Sequence, residues 1–307
     1  MGVVQPQSRL VGAAGGQAMS TRILLTGAGG QLASELAAAA EGVRRWELVA
    51  LGRDRLDVRR RDQVLAGVFG LRPDLVIHTG AFTDVDRAEA DPKEAFATNA
   101  LGCRHLAEAV ALAGGHLVVV SSDYVFDGRA GRPYHEWDPP NPLSVYGASK
   151  LAGEREAQAR LPSVAVVRTS WLCGTFGRNA LKTILGQAAA GGPLRYVTDQ
   201  RGCPTLTSDL APALLELGIS RRPGLFHLTN AGEVSWYELA QEVLLAAGLD
   251  PSRVEPIQSH ELVPPRSALR PAYSALCNAA WAAEGFDPLP DFRPSLEVAV
   301  KRLLASS

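Results

Sequence analysis

The sequence predicts an α/β protein, a Rossmann-like doubly wound parallel sheet with a smaller C-terminal substrate-binding lobe. Three observations carry that expectation. Short β-rich runs alternate with longer Ala/Leu/Arg segments of helical character between Arg22 and Arg168, the alternation that builds a parallel sheet covered on both faces. Gly115–Ser121 is nearly all apolar, as a strand buried on both sides must be. A glycine-rich turn, Gly27-Ala-Gly-Gly30, sits directly after the first strand-like run.

The elements follow in order. Arg22–Thr26 is a strand, and Gln31 to about Ala40 the helix opened by the turn. Glu47–Leu51 is a second strand, Arg61–Leu71 a second helix and Asp74–His78 a third strand. Asp91-Pro92 then opens a long helix towards Ala113, with Asp suited to the N-cap and Pro to the first turn. Gly115–Ser121 is the fourth strand, Tyr146–Arg160 a helix and Val164–Arg168 a further strand. After Gly191 the pattern breaks into loops, short strands and two or three helices, Trp236–Ala247 among them. The expected organisation is therefore a nucleotide-binding domain over 21–190 and a substrate lobe over 191–307, with elements exchanged between them. Residues 1–20 read as a disordered extension, with Met19 as an alternative start.

Composition narrows the function. The 307 residues are 46% hydrophobic and 21% charged, enough for one large or two modest domains. Lys plus Arg is 31 against 32 for Asp plus Glu, so no basic field exists to hold nucleic acid or an anionic membrane. Only Lys93, Lys150, Lys182 and Lys301 are lysines. Cys103, Cys173, Cys203 and Cys277 lie far apart, which fits a reducing cytosol and neither a zinc site nor a disulfide framework. No apolar run reaches membrane-spanning length and no secretory signal is visible, so a cytoplasmic protein is expected. The acidic cluster Asp84, Asp86, Glu89 and Asp91 reads as helix N-terminal charge on a solvated loop, not as a metal site.

The turn Gly27-x-x-Gly30-x-x-Ala33 suits a pyrophosphate. Side chains there would hold the backbone away from the anion, and the following helix offers free N–H groups. Gly29 adds freedom. At the end of the second strand the chain reads Gly52-Arg53-Asp54. Arg53 favours the 2′-phosphate of NADP, while Asp54 keeps NAD open.

Tyr146-Gly-Ala-Ser-Lys150 places a phenol and an ammonium four residues apart on one helix face. A free phenol is a poor acid–base group near neutrality, and a nearby cation lowers its pKa. Ser121-Ser122-Asp123 ends the fourth strand. Strand alternation lets only one serine face the cleft, and Ser122 is the better candidate.

With these residues in view the chain resembles the extended short-chain dehydrogenase/reductases, and within them the dTDP-4-dehydrorhamnose reductase family. The resemblance runs from about Arg22 to Leu303. It is carried by Leu24-Leu-Thr-Gly-Ala-Gly-Gly-Gln-Leu32, Thr83-Asp-Val-Asp-Arg-Ala-Glu89 and Ser121-Ser-Asp-Tyr-Val-Phe-Asp-Gly128. Tyr146-Gly-Ala-Ser-Lys-Leu-Ala-Gly-Glu154, Arg168-Thr-Ser-Trp171, Asp199-Gln-Arg-Gly-Cys-Pro-Thr205 and Arg270-Pro-Ala-Tyr-Ser274 extend it. The resemblance implies NADPH-dependent reduction of dTDP-4-dehydro-β-L-rhamnose, with NADH as an alternative donor. Tyr146 would be the proton donor, Lys150 its pKa-lowering partner and Ser122 the third member. Gly30, Gln31 and Leu32 would meet the pyrophosphate, Asp57-Val58 the adenine end, and Ala81-Phe82-Thr83 the cofactor after the third strand. Ser122, Asp123, Trp171 and Arg270 would contact a nucleotide-sugar substrate. A monomer or homodimer is expected, and Mg2+ is not indicated by the sequence. Departures from the family pattern are Ala33 for a glycine, His78-Thr79-Gly80-Ala81 after the third strand, and Cys277-Asn278. Two other readings stay open. One is a non-catalytic NADP-binding regulatory subunit resembling the methionine adenosyltransferase β subunit; the other is a reductase or epimerase of another nucleotide-linked keto-sugar.

Overall fold

Six strands form the central sheet: β1 (Thr21–Thr26), β2 (Trp46–Leu51), β3 (Leu75–His78), β4 (His116–Ser122), β5 (Ala165–Thr169) and β6 (Gly224–His227). Their order is β2-β1-β3-β4-β5-β6, and every pairing is parallel. The computed structural model describes residues 20–306, so the expected N-terminal extension, Ser20 apart, lies outside the described residues. The helices are α1 (Gln31–Ala40), α2 (Arg61–Leu71), α3 (Val85–Ala90), α4 (Pro92–Phe96), α5 (Gly102–Ala113) and α6 (Val145–Arg160). They continue with α7 (Ala180–Ala189), α8 (Thr207–Ser220), α9 (Trp236–Ala246), α10 (Ala279–Ala283) and α11 (Phe292–Ala305). Among the described residues no helix is long and apolar enough to cross a membrane.

Strand periodicity decides which helices cover which face. Ile23 and Leu25 of β1, with Val118 and Val120 of β4, pack against Leu36 of α1 and Leu210 and Leu214 of α8. Their neighbours Leu24, Leu117 and Val119 pack on the other face with Val64 and Val68 of α2, Leu106 of α5 and Ala157 of α6. A second core joins Leu181 and Ile184 of α7, Val243 and Leu244 of α9, and Phe292, Leu296 and Val300 of α11. It also holds Leu194 and Val254, from the parallel strand pair Leu194–Val197 and Val254–Ile257. Elements therefore cross residue 190 in both directions: α7 joins the second core, while α8 and β6 return to the large sheet.

The helix expected to run unbroken from Pro92 to Ala113 is interrupted. Asp91 caps α4 as expected, accepting the Glu94 N–H at 3.1 Å, but Ala97–Leu101 forms a π-helical turn before α5 begins. Such widened turns redirect side chains, and here the residue within it is the buried Asn99. Its Oδ1 accepts from Phe82 N at 2.8 Å. Its Nδ2 donates to Phe82 O at 3.1 Å and to Ser149 Oγ at 2.8 Å. The turn thereby fixes the loop after β3 to helix α6.

A buried ion pair ties β5 to the same helix. Arg168 Nη2 meets Glu154 Oε2 at 2.7 Å with both side chains 3% exposed. Ser121 Oγ donates to the other carboxylate oxygen at 2.5 Å, so β4 is fastened there too.

Candidate active site

The connections of β1 and β3 leave in opposite directions, and the crevice between two such strands is where open α/β sheets receive ligands. The loops that follow them touch backbone to backbone. Gly27 has φ +88°, and a Cβ on it would lie 2.6 Å from Gly80 N. Glycine is required by conformation and by space at once.

Every residue expected at the cofactor lines one cleft of ≈ 520 Å³ at this point. Gly27, Gly29, Gly30, Gln31 and Leu32 form the turn; Arg53, Asp57 and Val58 follow β2. Ala81, Phe82 and Thr83 follow β3, and Tyr146 and Lys150 face in from α6. The turn fits an anionic group. No side chain caps α1 at Gly30, Gly29 faces open space, and Gln31 Oε1 is buried with no partner among the protein atoms. Arg59, Thr98 and Arg178 also line the cleft and were not singled out from sequence. Arg59 follows Asp57 by two places in a turn closed by Arg60 N–H donating to Asp57 O at 2.9 Å, while nothing in the sequence brings Arg178 across from the loop before α7.

Tyr146, Ser122, Asp123 and Ser274 form one chain of contacts at the end of β4. Tyr146 is half-buried, and loss of water around its phenol raises its pKa well above the ordinary value, with a hydrogen bond to Ser122 opposing. Ser122 Oγ donates to Asp123 Oδ1 at 3.0 Å, and Ser274 Oγ donates to Asp123 Oδ2 at 2.6 Å. Burial pushes the Asp123 carboxyl up to about 6 against those two hydrogen bonds. Lys150 is 4% exposed and donates to the Val120 carbonyl at 2.8 Å; burial lowers its pKa. Loss of water from around the phenol is the largest influence on the Tyr146 pKa, and the Lys150 ammonium is held by a strand carbonyl.

Small residues on α6 create this meeting. A Cβ on Gly147 would lie 2.1 Å from Tyr124 O, and one on Gly153 2.2 Å from Asn99 O. The segment carrying Ser122 and Asp123 can therefore lie against the helix carrying Tyr146 and Lys150. Gly147→Ala is expected to cost about 1–3 kcal/mol through overpacking and to lower turnover about tenfold or more by displacing Ser122 from Tyr146. Urea denaturation and steady-state kinetics measure the two effects; wild-type turnover would show that this contact does not set the Ser122 position.

The remaining expected substrate contacts sit apart from that cleft. Trp171 has φ +46° and stacks on Trp236 at 3.9 Å between ring centroids, against the second core. Arg270 pairs with Asp86 at 2.7 Å and reaches Tyr124. Asn278 exchanges hydrogen bonds with Thr229, a structural task for one of the two departures near the C-terminus. The acidic cluster is dispersed: Asp84 and Asp91 cap α3 and α4, Glu89 accepts the Val145 N–H, and Asp86 takes Arg266 and Arg270.

The profile of the RmlD substrate binding domain matches residues 21–305. A dTDP-4-dehydrorhamnose reductase of Streptomyces griseus is 41% identical, over 90% of this chain and 91% of its own. A probable dTDP-4,6-dihydroxy-2-methyloxan-3-one 4-ketoreductase of Streptomyces antibioticus is 42% identical, over 93% and 96%. The solved structure of the Bacillus anthracis dTDP-4-dehydrorhamnose reductase in complex with NADP superposes with a TM-score of 0.87 at 33% identity, covering 94% of this chain and 100% of that one. With its profile match, its relatives and its fold in agreement, the chain belongs to the RmlD substrate-binding-domain family, the dTDP-4-dehydrorhamnose reductase family of oxidoreductases.

Proposed function

We propose that this protein reduces the 4-keto group of dTDP-4-dehydro-β-L-rhamnose, giving dTDP-β-L-rhamnose, with NADPH as the donor. The observation that carries the reading is that Tyr146, hydrogen-bonded to Ser122, and Lys150 line the same cleft as the glycine turn Gly27–Gly30. A bound reduced nicotinamide supplies the hydride. Gly29, Gly30, Gln31 and Leu32 would hold its pyrophosphate, and Ala81, Phe82 and Thr83 would pack along it. Tyr146 holds a proton on its phenol oxygen at neutral pH and delivers it to the oxygen of the carbonyl being reduced. Ser122 orients that phenol. Lys150, held by the Val120 carbonyl, would hydrogen-bond the nicotinamide ribose and help position its reactive face. Asp123, Trp171 and Arg270 are assigned to the nucleotide-sugar side.

The test is consumption of NADPH with freshly generated dTDP-4-dehydrorhamnose, followed by product identification. Turnover to dTDP-rhamnose is the expected result. Its absence despite tight NADPH binding would leave a non-catalytic nucleotide-binding protein, against which the complete Tyr146, Lys150 and Ser122 set argues. A second substrate is favoured by one finding, the Streptomyces antibioticus relative named for a different dTDP-linked keto-sugar at 42% identity; a panel of dTDP-, UDP- and GDP-keto-sugars separates the two. The site is assigned to the cytoplasm and the protein to a monomer or homodimer.

A further inference from the structure

The outer end of the cofactor cleft contains four interlocked charges. Arg59 is gripped on both sides. Its Nε donates to Asp57 Oδ1 at 2.9 Å and its Nη2 to Asp57 Oδ2 at 2.5 Å. Its Nη1 donates to both oxygens of Glu94, at 2.6 and 2.8 Å. Arg53 Nη2 donates to Glu94 Oε1 at 3.1 Å. Two guanidiniums and two carboxylates leave the cluster without net charge. Arg53, Asp57 and Arg59 line the cleft, whereas Glu94 comes from α4 behind them and hydrogen-bonds both arginines. All but Arg53 are mostly shielded from solvent, with side chains 14–26% exposed.

We propose that Glu94 is a specificity-determining residue, whose carboxylate competes with a ribose 2′-phosphate for Arg53 and Arg59 and so limits the preference for NADPH over NADH. The inference rests on the nicotinamide reading above. A phosphate dianion arriving here meets a neutral cluster, and it recruits Arg59 Nη1 or Arg53 Nη2 only by displacing Glu94. Asp57 binds the opposite edge of Arg59 and leaves Nη1 alone. A ribose hydroxyl brings no charge, so NADH gains nothing from the displacement. The arrangement weakens NADPH selectively without making the site an NADH site.

The experiment is direct titration of both cofactors into wild type and Glu94→Gln, followed by fluorescence, with no substrate present. The amide is isosteric, and Asp91 caps α4 through the backbone of residue 94, so the helix start is preserved. NADPH Kd is expected to fall about tenfold in the variant, with NADH Kd changed by no more than about twofold. The gain should shrink at about 0.5 M salt, where exposed charges are screened. Adding Arg59→Gln to Glu94→Gln should erase it. An unchanged NADPH:NADH ratio, or an equal shift in both constants, overturns the gate while leaving the cofactor assignment standing. Wild type that takes up neither cofactor overturns the nicotinamide reading and the gate with it.

Discussion

A Tyr146→Phe variant should lose about a thousandfold in turnover while folding and binding NADPH as the wild type does. The size is that of a positioned general acid removed from a transition state. Burial raises the Tyr146 pKa, so the phenol is fully protonated at neutral pH. That is the form a reduction needs, since the tyrosine must give a proton and not take one. The reduction rate should accordingly show no titration of Tyr146 between about pH 6 and 8. The ring itself rests edge-on against Tyr124, 5.5 Å between centroids, a contact that Phe retains. Steady-state kinetics with dTDP-4-dehydrorhamnose, beside NADPH binding to the same preparation, make the check. Full turnover in the variant would require another proton source and sink the mechanism.

Acid should unfold this protein early. Three buried histidines are held neutral: burial and Lys150 lower His78 to about 3, burial and Arg168 lower His227 to about 3, and burial and Arg221 lower His116 to about 4. Their geometry agrees. Thr26 Oγ1 lies 2.7 Å from His78 Nδ1, His227 Nδ1 faces the Tyr134 carbonyl at 3.0 Å, and the Nε2 atoms of His78 and His116 have no partner among the protein atoms. The unfolded chain takes up protons at these rings below about pH 6.5 while the folded chain refuses them until about pH 3–4. Stability is therefore present above that window and lost as pH falls through it. Between about pH 7.5 and 5 the three together remove roughly 6 kcal/mol. Asp123 works in the other direction, because its raised pKa favours the folded state as it protonates below about pH 6. It returns about 1 kcal/mol. Urea unfolding across that range measures the slope, and a flat profile would mean that these rings are protonated inside the fold.

Much of the sheet was legible because its code is local. Gln31–Ala40 and Arg61–Leu71 are observed at the limits read from sequence, since a glycine turn or an apolar strand brackets each. The two serines have different partners, Ser121 the Glu154 carboxylate and Ser122 the Tyr146 phenol, but it is Ser121 that lines the cleft, which alternation alone does not report. The π-helical turn at Ala97–Leu101 was not legible. Composition does not distinguish a widened turn from a regular one; what selects it is Asn99 reaching Phe82 and Ser149 from distant segments. Glu94 was passed over for a similar reason, because its partners Arg53 and Arg59 precede it by 41 and 35 residues. The Lys150 hydrogen bond to the Val120 carbonyl was not legible either, because no side-chain pattern reports a backbone acceptor.

The late return of α8 and β6 to the large sheet bears on how the chain is made. Until residues 207–227 have left the ribosome, the face carrying Ile23, Leu25, Val118 and Val120 has no α8 to cover it, and β5 ends the sheet as an open edge. A nascent chain stopped at residue 190 thus displays an apolar surface beside an unpaired strand, the combination that invites association with other chains. Synthesis must pass about three-quarters of the chain before the nucleotide half can close, so that half depends on the segment that follows it.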